Sequence, residues 1–302
     1  MYEIPASLDL PADGKADSTV PRSPTDHILS PTSKRLLEQR RKHRSSARGP
    51  ALSNIFKISE PIGRFTLEGE VQPIEKPTSL PLVLGSSSTS RRKVMETLQW
   101  PFEIMIPDID EKAIRCDDPM RLPLIIAKAK AEAIWARLVA SAASNHPAGT
   151  SNPVHKPFIL ITSDQIVYFN DKEVREKPTS EEEARHFLAS YSGKAVSTIS
   201  ALVATHWPSG RQAHEVDVAT VHWQEISPEV IQRVVGRGEI YSSAGGFRIE
   251  DEDLRPLILN IEGGVDSILG LPVDSLVRII DVVMSDDGPR DSITGGALSQ
   301  QG

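Results

Sequence analysis

Apolar positions along the chain follow strand and helix periods only after about residue 79. LPLVLG, which begins at Leu80, predicts a short buried strand, and the Ser-rich turn behind it opens an amphipathic helix. FEIMIPDID predicts a second strand, and a long helix then begins near Asp118 and Pro119. Three apolar residues of the first helix are expected to face the core: Val94, Met95 and Leu98. The region therefore opens with the order βαβα.

The second half of this region adds several strands and three further helices. FILITSDQIVYFN predicts the most continuous buried strand, and the helix in TSEEEARHFLASYSG begins at Thr179 or Ser180 and ends near Gly193. SPEVIQRVVGRG predicts a short helix capped by Ser227, and VDSLVRIIDVV the last helix. Further strands are predicted in AVSTISALVATHW, HEVDVATVHWQEIS and GGFRIEDEDLRPLILNIEGG. Helices alternating with strand pairs predict an α/β fold with a mixed sheet.

Both ends of the chain lack such periodicity. Residues 1–78 are rich in Pro, Ser and Arg and predict a disordered extension, because they cannot bury enough apolar area to offset the entropy of ordering. Residues 79–284 form the predicted domain, and 285–302 a disordered tail. A basic cluster at 34–48 is typical of a solvated tail, with nuclear import or anion docking as alternatives.

Charge and cysteine content narrow the class of protein. The net charge of -7 argues against a protein that mainly coats nucleic acid or an anionic membrane. The only cysteine, Cys116, excludes an internal disulfide and favours the cytoplasm, with the nucleus possible through the basic cluster. No apolar run is long enough to span a bilayer, so no membrane association is expected.

The turn GSSSTSRR after the first strand is a candidate anion site. A strand-to-helix turn presents free backbone N–H groups, and Ser86 and Ser88 add hydroxyl donors. Arg91 and Arg92 add charged donors that suit phosphate. An ordinary Ser-capped helix with exposed arginines is the alternative.

Acidic residues follow two of the predicted strands: Asp108, Asp110 and Glu111 in PDIDE, and Asp164 in ITSDQ. An acid directly after an apolar strand lies at the carboxyl edge of the sheet, where α/β proteins bind ligands. Two converging carboxylates could hold Mg²⁺, and one could deprotonate water. Lys130 in the long helix and Lys177 in EKPTS could neutralise phosphate. Turn-forming acids and surface lysines are the alternatives.

Taken in order, these pieces resemble the Maf-like family of nucleoside triphosphate pyrophosphatases, named for septum formation. The resemblance spans about residues 80–283. Besides the serines, arginine, acids and lysines above, it is carried by the motifs A-x-x-K-A, SDQ, KP, EEARHFLASYSG, AGGFRIE and GLP. The implied fold is a mixed, twisted sheet flanked by helices, with two lobes around a nucleotide-binding cleft, often in a homodimer.

The resemblance implies hydrolysis of a nucleoside triphosphate between the α and β phosphates, with a divalent cation such as Mg²⁺ or Mn²⁺ as cofactor. It implies Asp164 as the group that activates water, Lys130 and Lys177 as further catalytic residues, and Glu111 with Asp164 at the metal. The residues implied to bind the triphosphate and base are Ser86, Ser88, Ser90, Arg91, Gln165 and Glu250.

Gln165 and Glu250 resemble the branch of the family that acts on 7-methyl-GTP, or the plant proteins with SDQ, because branches acting on dTTP and UTP have Thr and Gln there. A carboxylate suits guanine, whose N1–H and N2 amine both donate. Ser90 departs from that branch, where a Trp is usual. A dTTP/UTP pyrophosphatase and a catalytically silent nucleotide-binding module are the alternatives.

Overall fold

The computed structural model describes residues 63–65, 71–144, 156–285 and 291–292. Among them, no helix is long and apolar enough to cross a membrane. The strands are β1 Gly63–Phe65, β2 Val71–Pro73, β3 Leu82–Gly85, β4 Phe102–Ile104, β5 Phe158–Phe169, β6 Glu173–Arg175, β7 Ala195–Trp207, β8 Arg211–Trp223, β9 Ile258–Glu262 and β10 Asp291–Ser292. The α-helices are α1 Thr89–Thr97, α2 Leu122–Ser144, α3 Glu181–Tyr191, α4 Pro228–Arg237, α5 Val265–Ile268 and α6 Val273–Met284.

The main sheet is mixed, as predicted, with eight strands in the path β10-β8-β7-β5-β3-β4 and with β6 and β9 paired at its side. β5, β7 and β8 are long antiparallel strands, each 12 or 13 residues. β3 runs parallel to both β4 and β5. The sheet therefore combines a parallel end, where helical crossovers connect the strands, with an antiparallel meander.

Three apolar clusters form the core. One packs α2 on one face of the sheet, around Ala127, Ile134 and Val203, and another packs α1 and α6 on the opposite face. The third joins the far half of β5 to α3, α4 and β9 around Trp223 and Phe247. This third cluster is the second lobe, and a cavity lies between it and the first two clusters.

The helix boundaries follow the predicted caps. Ser88, Ser180 and Ser227 each have extended backbone geometry and accept a hydrogen bond from the N–H three residues on. Each bond satisfies one of the free N–H groups at a helix start. α4 ends at Gly238, whose φ of 77° is the left-handed geometry that glycine adopts most easily.

Three predicted elements were wrong in extent. FEIMIPDID contains only β4, which is short and exposed, so Ile104 and Ile106 face solvent. The long helix begins at Leu122, because Asp118 Oδ1 instead accepts from Met120 N in a turn. In GGFRIEDEDLRPLILNIEGG only β9 is a strand, and the part before it consists of turns in which Asp251 accepts from two backbone N–H groups.

Part of the predicted extension and tail takes part in the fold. β1 pairs with β2, and Trp100 Nε1 donates to the carbonyl of Ile74 at 3.0 Å. β10 pairs with β8 at the edge of the main sheet. β1, β2 and β10 therefore lie outside the predicted domain boundaries at 79 and 284. The basic cluster at 34–48 lies outside the described residues.

Candidate active site

A cavity of about 650 Å³ lies between the two lobes. It is lined by the Ser-rich turn after β3, the segment after β4, α2, the middle of β5 and the turns at 242–250. Arg92, also a candidate for phosphate binding, is not among the lining residues. The ten residues that the family resemblance implies for the site all line this cavity: Ser86, Ser88, Ser90, Arg91, Glu111, Lys130, Asp164, Gln165, Lys177 and Glu250. Segments far apart in sequence therefore meet as the motifs predicted, although their roles remain predictions.

The turn after β3 builds one wall of the cavity. Ser86 Oγ accepts from Ser88 N at 3.2 Å, and Ser88 Oγ caps α1 by accepting from Arg91 N at 3.4 Å. The buried Arg91 guanidinium donates from Nη1 to Ser86 Oγ at 3.3 Å and from Nε to the Gly270 carbonyl at 3.0 Å. Burial lowers the pKa of Arg91 and the negative charge of Asp164 raises it, but arginine stays protonated. The wall is a preformed cationic site that suits phosphate.

Lys130 joins the two predicted acidic residues. Its Nζ lies 2.7 Å from Asp164 Oδ1, 3.0 Å from Glu111 Oε1 and 3.3 Å from the Ser163 carbonyl. The Lys130 and Asp164 side chains are 4% and 9% exposed, whereas that of Glu111 is 44% exposed. Burial raises the pKa of Asp164, and the charges of Lys130 and Arg91 oppose that rise. A carboxylate with a raised pKa is a better proton acceptor at neutral pH.

Asp164 lies inside β5 and does not follow the strand as predicted. Gly85, the last residue of β3, pairs with Thr162, and β5 continues past that point along β7. Asp164 is therefore two residues beyond the end of the parallel strand β3, at the carboxyl edge of this part of the sheet. The Thr162 hydroxyl donates to the Ala127 carbonyl at 2.8 Å, which fixes α2 against β5 and brings Lys130 to Asp164.

Gln165 and Glu250 line different walls of the cavity. Gln165 Nε2 lies within 3.0 Å of three acceptors, Ser200 Oγ and two backbone carbonyls of α5, which share its two hydrogens. Glu250 Oε1 is buried, makes no hydrogen bond and lies 3.5 Å from Arg248 Nη2. Ser90 is half-buried beside Arg91, whereas Lys177 is exposed on the cavity wall.

Several residues of the site were missed in the sequence. Arg248 lines the cavity and pairs with Glu239 as well as Glu250. Ser163 Oγ donates to the Gly270 carbonyl, which also accepts from Arg91. Arg248 stands within the predicted motif AGGFRIE, so an arginine two positions before Glu250 was the available signal. The Gly270 carbonyl is a backbone group and leaves no signal in the sequence.

The wall near Lys177 is supported by a buried arginine. The guanidinium of Arg175 lies 4.2 to 4.9 Å from the ring centroids of Phe169, Phe187 and Tyr191. Arg175 also pairs with Glu173 through two hydrogen bonds. Cation–π contacts and paired charge offset the cost of burying a guanidinium. β6 thus anchors the start of the segment that carries Lys177.

The acidic residues of the cavity decide whether it has ligands for a divalent cation. Glu111 and Asp164 place one carboxylate oxygen each within 3.0 Å of the same Lys130 nitrogen, so two hard oxygen ligands converge. Within the described ranges, no group of three or more His, Cys, Asp or Glu is arranged to hold a metal. The residues therefore fit a Mg²⁺-like ion that takes its remaining ligands from phosphate and water, as Mg²⁺ commonly does.

Comparison with known proteins gives the following similarities. The model of the Maf-like protein family matches residues 81–283, and that of the Spo12 family matches 23–54, outside the described residues. A 7-methyl-GTP pyrophosphatase of Dictyostelium discoideum is 38% identical over 68% of this chain and 98% of its own length. A protein of the same name from Pseudomonas fluorescens is 30% identical over 68% and 97%. A dTTP/UTP pyrophosphatase of Treponema denticola is 26% identical over 66% and 95%.

Proposed function

The chain belongs to the Maf-like protein family, and we propose that it hydrolyses a nucleoside triphosphate to the monophosphate and pyrophosphate in the cavity around Asp164. The observation that carries the proposal is the buried contact of Lys130 with Asp164, with Glu111 beside it and Arg91 on the neighbouring wall. This arrangement combines a proton acceptor, a cation site and donors for phosphate in one place. Hydrolysis of a phosphoanhydride needs these three components.

In the proposed reaction the water oxygen bonds to the α phosphorus, and the bond from that phosphorus to the bridging oxygen breaks. The bonding electrons leave with pyrophosphate, and Asp164 accepts the proton of the water. Lys130 orients the Asp164 carboxylate through its 2.7 Å contact. Arg91, Ser86 and Ser88 hold the phosphates, whose growing negative charge the guanidinium stabilises. Lys177, exposed on the cavity wall, supplies a further positive charge.

A divalent cation completes the proposal. Glu111 and Asp164 would hold it, and when bound it neutralises the phosphate charge and polarises the bond to be cleaved. Mg²⁺ and Mn²⁺ both suit carboxylate and phosphate oxygens.

The preferred base in this proposal is 7-methylguanine. Two of the relatives that support the family assignment are named 7-methyl-GTP pyrophosphatases. Glu250 has a buried oxygen that makes no hydrogen bond, and a carboxylate there can accept from the N1–H and N2 amine of guanine. Its negative charge also favours a base that carries a positive charge. Ser90 provides no aromatic ring to stack on that base.

The test is a turnover assay with Mg²⁺ or Mn²⁺ on 7-methyl-GTP, GTP, dTTP and UTP, measuring both pyrophosphate and monophosphate. Asp164→Asn keeps the size of the side chain but removes the proton acceptor, and we expect a loss of about 10³-fold or more in kcat. Asp281→Asn is the matched control, because Asp281 is an exposed carboxylate on α6 outside the cavity.

Each outcome of the assay decides one part of the proposal. Pyrophosphate release by wild type and Asp281→Asn, but not by Asp164→Asn, supports the reaction. A preference for dTTP or UTP over 7-methyl-GTP would contradict the role of Glu250 while leaving the reaction in place. Nucleotide binding without release from any substrate would replace the enzyme with a regulatory binding module.

Cytoplasmic or nuclear location and a homodimer are also part of this proposal. They are based on the low cysteine content and on the family resemblance. Fractionation of cells and analytical ultracentrifugation of the purified chain test them directly.

A further inference from the structure

A row of polar side chains crosses the middle of the sheet beside the cavity. Gln165 on β5 pairs with Ser200 on β7, and Ser200 pairs with Asp217 on β8, so the three side chains lie on one face of the sheet. Ser267 on α5 closes the row, since its Oγ donates to Asp217 Oδ1 at 2.9 Å. Ser200 and Ser267 are 0% and 1% exposed. Hydroxyls at this depth need hydrogen-bond partners, and the row provides them.

The hydrogen bonds of the row run in one direction. An ionised carboxylate and a carbonyl oxygen only accept. The Ser267 hydroxyl therefore donates to Asp217, and the Ser200 hydroxyl donates to the Ser267 carbonyl at 2.9 Å. Because its one proton is committed to that carbonyl, Ser200 Oγ can offer Gln165 only a lone pair. It accepts from Gln165 Nε2 at 3.0 Å.

The backbone of α5 favours the same orientation of the Gln165 amide, with Nε2 towards the acceptors. Nε2 lies 2.9 Å from the Ser267 carbonyl oxygen and 3.0 Å from that of Ile268. If the amide turned over, Oε1 would face three acceptors, and each of them would lose the amide N–H as a donor, which is costly in a buried place. Within the described part of the chain no residue donates to Oε1. Gln165 lines the cavity, and its Oε1 lies beside Gly270, 3.4 Å from the position that a Cβ of residue 270 would take. Oε1 is therefore the atom of Gln165 that is left to accept from a ligand.

We propose that Ser200, Ser267 and Asp217 are positioning residues that hold Gln165 Oε1 as a fixed acceptor for a donor of the bound nucleoside. The enzyme then favours nucleosides that carry this donor. The inference rests on the proposed function and deepens it, because it names the chemistry that the site selects. We assign this donor to one of two groups of a guanosine nucleotide. One is the second hydrogen of the N2 amine, because Glu250 accepts the first one together with N1–H in the proposed function. The other is the ribose 2′-hydroxyl. Inosine lacks the amine, and deoxyguanosine lacks the hydroxyl.

The test compares GTP with ITP and with dGTP in the wild type and three variants. Gln165→Met keeps an unbranched side chain of similar length but removes the acceptor. Ser200→Ala removes one of the three acceptors that orient the amide. Ser197→Ala is the matched control on the same strand, since it removes a buried hydroxyl that contacts Thr220 and not Gln165. Thermal unfolding of each variant shows that it is folded.

We expect the wild type to prefer GTP by about tenfold in kcat/KM over the analogue that lacks the donor, as for one hydrogen bond to a buried acceptor. Gln165→Met should bring that ratio close to 1, Ser200→Ala should lower it several-fold, and Ser197→Ala should leave it unchanged. If Gln165→Met loses the preference for GTP over ITP only, the donor belongs to the base. If it loses the preference for GTP over dGTP only, the donor belongs to the ribose. Unchanged ratios in Gln165→Met and Ser200→Ala on both comparisons overturn the inference.

Binding of the monophosphates GMP, IMP and dGMP, measured by calorimetry, separates this inference from the proposed reaction. If the wild type releases no pyrophosphate from any nucleotide, the reaction fails, and the affinity ratios still report the acceptor. If pyrophosphate is released and neither kcat/KM nor affinity ratios respond to Gln165→Met, the inference alone fails.

Discussion

Replacing Lys130 by Met tests the energetics at the centre of the site. The change keeps a long side chain but leaves the buried Asp164 carboxylate without its nearest cation, which lies at 2.7 Å. Removal of one partner of a buried ion pair typically costs about 3 to 5 kcal/mol. The second contact of Lys130, with the 44% exposed Glu111, is screened by solvent and contributes less than about 1 kcal/mol. We therefore expect a loss of about 3 kcal/mol in the free energy of unfolding at pH 8.

This loss should depend on pH in a defined direction. Burial already raises the pKa of Asp164, and the charge of Lys130 opposes that rise. Without Lys130 the pKa of Asp164 in the folded protein rises further. Asp164 in the folded variant therefore binds a proton more readily than it does in the unfolded chain. The variant therefore loses stability relative to wild type as pH rises from the ordinary pKa of an Asp to the raised pKa of Asp164. The difference in the free energy of unfolding between the two proteins becomes smaller towards pH 5.

Urea unfolding of both proteins at a series of pH values from 5 to 8.5 measures this difference. The control is Lys93→Met, because Lys93 is an exposed lysine on α1, and its replacement should change the free energy of unfolding by less than about 0.5 kcal/mol. A loss for Lys130→Met that does not vary with pH, or one no larger than that of the control at pH 8, would refute the reasoning.

Two further predictions concern the same cavity. Gly270 has φ of 88°, and a Cβ there would lie 3.1 Å from Arg91 Nε, so Gly270→Ala should lower stability by about 1 to 2 kcal/mol and raise KM about tenfold. The control is Gly236→Ala, because Gly236 lies in a helix with open space around it. This control should raise stability by about 0.5 to 1 kcal/mol and leave KM unchanged. An unchanged KM for Gly270→Ala would contradict the role of Arg91. Burial raises the pKa of Asp164, and Asp164 must be ionised to act as the base. As pH decreases, kcat/KM should therefore begin to fall at a pH above the ordinary Asp pKa of about 3.9. A pH profile that stays flat down to pH 4.5 would contradict the role of Asp164 as base.

The sequence by itself determined much of the local structure and identified residues that the fold brings to one cavity. Ser180 and Ser227 were identifiable as helix caps because capping depends on residues only three positions apart. The family motifs also identified ten residues that line one cavity, since each motif is short and keeps its spacing. The strand in GGFRIEDED was wrong because Asp251 and neighbouring turns satisfy the backbone locally, and apolar alternation does not reveal that competition.

Only the tertiary structure decided how these residues act on one another. Lys130 and Asp164 are 34 positions apart, and their contact depends on how α2 packs against β5. The orientation of Gln165 depends on carbonyl groups more than 100 positions away and on the register of β5, β7 and β8. Carbonyl groups carry no sequence signal, and a one-residue shift in register would turn Ser200 and Asp217 to the other face of the sheet. Register and helix packing are set by the whole core, so the electrostatics of the site follow from the fold.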